Sequence, residues 1–247
     1  MLYNITTDKN QISHLNEFPR TDTHCHTFYS DGGMTLKYLV KRAIKCGFDI
    51  VIKTDHNTLK GNGILKRMCK DKGLLFIPGI ELSTKKGHMV VLNLERKDFL
   101  HGLNFEEKIE KIHEENGITV MAHPWWRDSM REEVFNYPQL DGFEGLNHSS
   151  PFGSLHFLRH IYPKEKMVKI NPHRITPWVG SDSHGGYAYG DYFNIFKTTD
   201  DSVDGILRAM RKGNLIGYGP LLPIKQFLVD GAINQPIQLK KELFYNN

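Results

Sequence analysis

Short apolar runs alternate with amphipathic stretches along this chain. Ile50-Val51-Ile52 reads as a buried strand, as do Leu74 to Ile77, Met89 to Leu92, Ile118 to Met121 and Trp178-Val179, because an unbroken apolar run leaves no face for water. Between these runs the period changes. Leu36, Leu39, Val40, Ala43 and Ile44 recur at helical spacing, with Gly47 as a stop. Phe105, Ile109 and Ile112 make a thinner stripe that ends before Gly117. Ser202 is an N-cap for Val203, Ile206, Leu207 and Met210, closed by Gly213. Such alternation predicts a parallel sheet covered by helices, either open or closed into a barrel. The 149–177 stretch mixes aromatics, basic residues and prolines, with one candidate helix near Leu155 to Ile161. After Gly213, the runs Leu215 to Tyr218, Gln226 to Val229 and Ile237 to Leu239 read as short strands added at the edge.

Length and charge narrow this picture only a little. The 247 residues suit one α/β barrel domain. The expected division is a single domain over 1–247, with a core over about 20–212 and a strand extension over about 213–247. A net charge of +4, spread along the chain, singles out neither nucleic acid nor membrane as a partner, so stable nucleic-acid binding is not indicated, while a locally basic pocket could still receive an anion. Cys25, Cys46 and Cys69 form no extracellular disulfide framework. The first twenty or so residues are polar, and no apolar run reaches membrane-spanning length. A cytoplasmic protein without membrane association is the expectation.

The chemistry lies where polar residues meet strand ends, the place where α/β architectures collect functional side chains. His24 and His26 end the first strand candidate, and Asp31 follows. Asp55 and His56 end the second, Glu81 the third, and His123 the Ile118 strand. Asp182 and His184 follow Trp178-Val179-Gly180. His88 is the exception, since it opens a strand. The period of two sends His24 and His26 to one side and Cys25 to the other, and the same holds for Asp182 and His184 around Ser183. Imidazole and carboxylate together suit Zn, Mn or Fe, and the lack of cysteine ligands argues against a structural zinc site. A single histidine is usually structural. Their joint appearance at successive strand ends points to a metal centre.

The same residues carry a family resemblance. Thr21-Asp22-Thr23-His24-Cys25-His26-Thr27-Phe28-Tyr29-Ser30-Asp31-Gly32 resembles the opening motif of the PHP (polymerase and histidinol phosphatase) superfamily. Thr54-Asp55-His56-Asn57 resembles the second motif, and Pro78-Gly79-Ile80-Glu81 with Gly87-His88 the third. Ala122-His123-Pro124 and Gly180-Ser181-Asp182-Ser183-His184 are similar to the remaining two. The resemblance implies a distorted (β/α)7 TIM-like barrel with a trinuclear site, although some members bind two ions. It implies that His24, His26, Glu81 and Asp182 hold the first metal, that Glu81 bridges to a second completed by His88 and His123, and that Asp31, His56 and His184 hold the third. The tail from Gly213 to Pro220, with Leu228-Val229-Asp230-Gly231, looks similar to a carbaryl-esterase-like branch. Only 34 residues separate His88 from His123, too few for the inserted domain of the exonuclease-like members.

The resemblance implies a phosphoesterase acting on a small phosphomonoester or nucleotide. A water shared between two ions would lose its proton near neutral pH and attack in line. Asp55 is the candidate for orienting a ligand or relaying a proton, beside Glu81 as the bridging carboxylate. Lys53, Arg127 and His148 are candidate phosphate contacts, each beside a motif or a strand end. Trp125-Trp126 either stacks on a base or covers the barrel mouth. Two other classes stay open: hydrolysis of a non-phosphate ester by the same centre, and a non-catalytic metal-stabilised binding module.

Overall fold

The structure is a computed structural model that describes residues 4–126, 129–148, 169 and 171–220. Three helices form where the periodicity predicts them. Helix α1 (Leu36–Lys45) is capped by Thr35, whose hydroxyl accepts from the Tyr38 amide, and buries Leu36, Leu39, Val40 and Ala43. A second helix, α2 (Asn62–Lys70), was not anticipated, since Leu65 and Cys69 are its only buried apolar side chains. Helix α3 (Phe105–Glu114) starts in a reciprocal capping box between Asn104 and Glu107. Helix α4 (Val203–Arg211) starts at Ser202, which accepts from the Gly205 amide.

The described strands form three sheets. Strands β1 (Ile5–Thr6) and β2 (Arg20–Thr21) flank a sheet completed by β10 (Phe193–Phe196) and β11 (Leu215–Tyr218), in the order β1-β11-β10-β2. The Leu215 run therefore lies inside its sheet rather than at an edge. Strands β3 (Ile50–Val51) and β4 (Leu75–Phe76) pair in parallel. Strands β5 (Gly79–Thr84), β6 (Gly87–Leu92), β7 (Ile118–Met121), β8 (Gly142–Asn147) and β9 (Thr176–Gly180) form the third sheet in sequence order. The chain is thus a mixed α/β protein, and these ladders do not form a closed (β/α)7 barrel among the described residues. Single bridges link the sheets, Cys25 to Ser183 and His56 to Glu81.

The expected all-parallel sheet is also corrected. Strand β6 is antiparallel to both β5 and β7. Two residues, Lys85 and Lys86, join β5 to β6, and Gly87 turns the chain at φ +111°. Two residues suffice for a hairpin, whereas a parallel return needs a crossover of a dozen or more. Strands β8 and β10 escaped prediction because Glu144, Asn147 and Asn194 interrupt their apolar runs.

The core covers both faces of the five-stranded sheet. Met89 and Val91 face Ile109 and Ile112 of α3, while Val90 and Leu92 face Ile206 and Met210 of α4. Each fully buried side chain of this kind contributes about 1.5–3 kcal/mol. The sheet is therefore a rigid platform for the residues at its ends. No helix among the described residues is long and apolar enough to cross a membrane. The expected strands at Gln226 to Val229 and Ile237 to Leu239, and the helix near Leu155, lie outside the described residues.

Candidate metal centre

The residues after β2 run between two neighbouring segments. The Thr54 amide donates to Cys25 O, and the His26 amide donates to Ser183 O. Cys25 turns away, its Sγ toward Ile52 O at 3.4 Å. The alternation therefore brings His24 and His26 to one side, with their Nε2 atoms 3.2 Å apart. Glu81, on β5, lies between them and three more imidazoles. Its Oε2 is 3.2 Å from His24 Nε2, 3.1 Å from His26 Nε2 and 3.1 Å from His56 Nδ1. Its Oε1 is 2.9 Å from His88 Nδ1 and 3.2 Å from His123 Nε2. His88 ceases to be an exception here. Because β6 runs antiparallel to β5, its first residues lie at the rim where β5 ends, with His88 opposite Ser83.

Two further residues close the site through strained backbone. His123 has φ 29° and Asp182 φ 50°, left-handed values that a non-glycine residue holds only when its surroundings impose them. Asp182 Oδ1 is 3.1 Å from His26 Nε2. On the outer side, Asp31 Oδ2 lies 3.1 Å from His184 Nε2 and 3.6 Å from His56 Nε2, and Asp31 Oδ1 lies 3.4 Å from His26 Nδ1. All nine residues expected as ligands come together in four overlapping groups of donors. The grouping differs from the expected partition in detail. His26 joins Asp31, His56 and His184, and His56 also faces Glu81 with His88.

This donor set fits divalent ions. Ligand atoms about 2.1 Å from one ion, at tetrahedral or octahedral angles, lie about 3.0–3.4 Å from one another. Most of the contacts above have that spacing, and the others lie within 0.2 Å of it. Moreover, Glu81 Oε2 and the Nδ1 atoms of His26, His56 and His88 are buried with no well-aligned hydrogen bond. Buried polar atoms that crowd together without bonding one another are arranged around a shared centre.

Electrostatics keep the carboxylates ready to ligate. Burial would raise Glu81, but His24, His123 and His26 hold it well below the usual range. Asp182 and Asp31 are likewise held low against their burial, by His24 and His26 in one case and by His184 and His26 in the other. Burial would lower His26, yet Asp182 and Glu81 push it up to about 10. His24 is also held well above the ordinary imidazole value against its burial, by Glu144, Glu81 and Asp182. His56 goes the other way. Burial outweighs Glu81 and brings it down to about 4, so near neutral pH it offers a lone pair.

The other expected site residues sit differently. Lys53 is fully buried, and its Nζ donates to Asp55 Oδ2 at 2.8 Å and lies over the Tyr29 ring. Its ammonium is thus enclosed and paired with Asp55 rather than open to solvent. Asp55 is saturated as well, accepting from the Thr27 amide at 2.7 Å, Thr27 Oγ1 at 2.7 Å and Ser30 Oγ at 2.8 Å. Burial would raise its pKa, but Lys53 and Thr27 keep it low. With its oxygens so occupied, it braces the loop that carries Asp31. His148 follows β8, 5% exposed, with its ring 5.2 Å from that of Tyr192. Arg127 lies outside the described residues. Trp125 packs into the core against Phe135 and Phe143.

Two buried acids were missed. Glu144 Oε1 lies 2.8 Å from His24 Nδ1. Asp22 Oδ1 accepts from the amides of His24 and Ser181, and burial pushes its pKa up to about 7. The available signal was an acid within a strand of apolar and small residues, Gly142-Phe143-Glu144-Gly145.

Comparison with known proteins agrees with this geometry. A 34% identity over 141 residues links the chain to an uncharacterised protein of Methanocaldococcus jannaschii, covering 52% of this chain and 81% of that one. A 5′-3′ exoribonuclease of Haemophilus influenzae is 35% identical over 79 residues, 30% of this chain and 29% of that enzyme. A solved structure from Bacteroides vulgatus, a two-domain protein containing a predicted PHP-like metal-dependent phosphoesterase, matches with a TM-score of 0.64 at 17% identity. That match covers 83% of this chain and 66% of that one, and at such identity it speaks to the fold. The model of the PHP domain matches residues 22–180, the span that holds seven of the nine donors, and the chain belongs to the PHP domain family.

Proposed function

We propose that this protein is a metal-dependent phosphoesterase that cleaves a small phosphomonoester or a nucleotide. The observation that carries the reading is the division of Glu81, one oxygen facing His24, His26 and His56 and the other facing His88 and His123. A carboxylate so shared suits two neighbouring ions, the first completed by His24, His26 and Asp182 and the second by His88 and His123. Asp31, His56 and His184 would hold a third. Divalent ions held there, Zn, Mn or Fe, supply Lewis acidity toward phosphoryl oxygens and bring the acidity of a bound water near neutral pH.

The chain's own residues supply the rest. Ionised Asp31, Glu81 and Asp182 offset the ions' positive charge, and the Lys53–Asp55 pair holds the 27–31 loop so that Asp31 keeps its direction. Glu81 would be the carboxylate shared between two ions, and Asp55 acts through that loop rather than on a proton in flight. Arg127 and His148, after β7 and β8, are the proposed phosphate contacts. The 5′-3′ exoribonuclease among the relatives supports a phosphoester bond as the target.

The test is hydrolysis of p-nitrophenyl phosphate set against p-nitrophenyl acetate by Mn-loaded protein, followed by a nucleotide panel. Turnover of the phosphate or of a nucleotide is the expected result. Turnover of the acetate alone would move the assignment to a carboxylic ester, and no turnover of any substrate would overturn it. Elemental analysis of the same sample gives the ions per chain.

A further inference from the structure

Glu144 stands outside all four donor groups yet touches members of two. It is 2% exposed, in the middle of β8. Its Oε1 lies 2.8 Å from His24 Nδ1. Its Oε2 accepts from the His123 amide at 2.9 Å and from Asn147 Nδ2 at 2.7 Å. The register between β8 and β9 shifts between Glu144 and Leu146, and an irregularity of this kind re-aims a side chain beside a site. Gly180 then leaves just enough room. A Cβ there would sit 1.9 Å from Glu144 Oε1 and 2.8 Å from His24 Cβ, so the carboxylate is packed tightly against its partner.

A neutral imidazole carries one proton, and a carboxylate only accepts. Glu144 therefore calls for the His24 proton on Nδ1, which leaves the lone pair on Nε2, the nitrogen that faces Glu81 and Asp182 at 3.2 and 3.6 Å. We propose that Glu144 is a positioning residue of the metal centre, holding His24 in the tautomer that presents Nε2 to an ion. Through the His123 amide it also ties that imidazole to the strained turn carrying the second ligand group. This inference rests on the reading of His24 as a metal ligand.

The isosteric variant Glu144→Gln separates this role from simple packing. The His123 amide is a fixed donor, so the new amide oxygen must face it. The new NH2 group then points at His24 Nδ1 and demands a lone pair there. That moves the proton to Nε2 and closes it to metal. A group that only fills space would be replaced by glutamine without this effect.

The experiment is a competition titration of the full chain with Zn and Mn against a chromophoric chelator, for wild type, Glu144→Gln and His24→Ala, with ¹⁵N histidine spectra of the zinc-loaded forms. The expected result is metal affinity lowered about 10–100-fold in Glu144→Gln, with native circular dichroism and a His24 proton displaced from Nδ1. Wild-type affinity in Glu144→Gln beside weakened affinity in His24→Ala would overturn the inference and leave the ligand reading standing. Wild-type affinity in both would overturn the ligand reading itself. If Glu144→Gln does not fold, the spectrum of the unaltered zinc-loaded protein decides. A proton on His24 Nδ1 supports the proposal, and a proton on Nε2 overturns it.

Discussion

Asp55, in the segment after β3, and Glu81, within β5, are both fully buried carboxylates, and they meet the cost of burial in opposite ways. Asp55 accepts four hydrogen bonds, from Lys53, Ser30 and twice from Thr27. Its charge is neutralised and its oxygens are occupied by groups the chain itself provides. Glu81 has five imidazoles within 3.2 Å, of which His123 alone is aligned as a hydrogen bond to it. A buried charge costs several kcal/mol unless it is paired and bonded. The first acid is complete as it stands, and on the proposed reading the second is completed by a cation. The contrast separates a brace from a candidate ligand, although the sequence places both acids at strand ends and the structure puts Glu81 inside β5.

The comparison breaks most visibly at Glu81. Glu81→Gln should lower hydrolysis of p-nitrophenyl phosphate by about 10²–10³-fold or more, and reduce the ions per chain in elemental analysis while circular dichroism stays native. Full occupancy in that variant would rule out a shared carboxylate. Asp55→Ala should instead act on stability. It leaves Lys53 buried without its partner and should cost about 3–5 kcal/mol in urea unfolding. A Lys53→Met/Asp55→Asn double variant should recover part of that loss, and a cost below about 1 kcal/mol for Asp55→Ala would mean that the pair is not the brace described.

Metal removal sharpens the same contrast. An ion present at a hundred times its Kd contributes about 2.7 kcal/mol, so a chelator should lower the Tm of the wild type and of Thr27→Val. It should change Glu81→Gln much less, and an equal fall in all three would remove the distinction. The smallest effect belongs to Thr27→Val, which deletes one of the two donors to Asp55 Oδ2. That should cost about 1–3 kcal/mol in unfolding without changing the count of bound ions.

Much of the fold was legible in the residues. The stripes of α1, α3 and α4 are local patterns, and each carries its own cap in Thr35, Asn104 or Ser202. Strand β7 appears where the run Ile118 to Met121 predicts it. What failed did so for identifiable reasons. Helix α2 buries too little apolar surface to show a stripe, and β8 hides behind Glu144 and two glycines. Lys53 alternates with Ile52 and Thr54, so nothing local revealed which way it points. Only the approach of Asp55 and Tyr29 shows that it is enclosed.

Taken alone, the sequence settled which nine donors occur and in what order, because residue type and period are local properties. Tertiary structure decided their relations. His88 reaches the common rim because β6 runs antiparallel. Glu144 meets His24 across 120 residues of chain, and Glu81 comes between imidazoles from several different loops. Such contacts depend on strand direction, register and close packing, which are set by the burial of the whole core. The motif therefore announces a metal centre, while the fold determines which buried acids are complete within the chain and which are left for a cation.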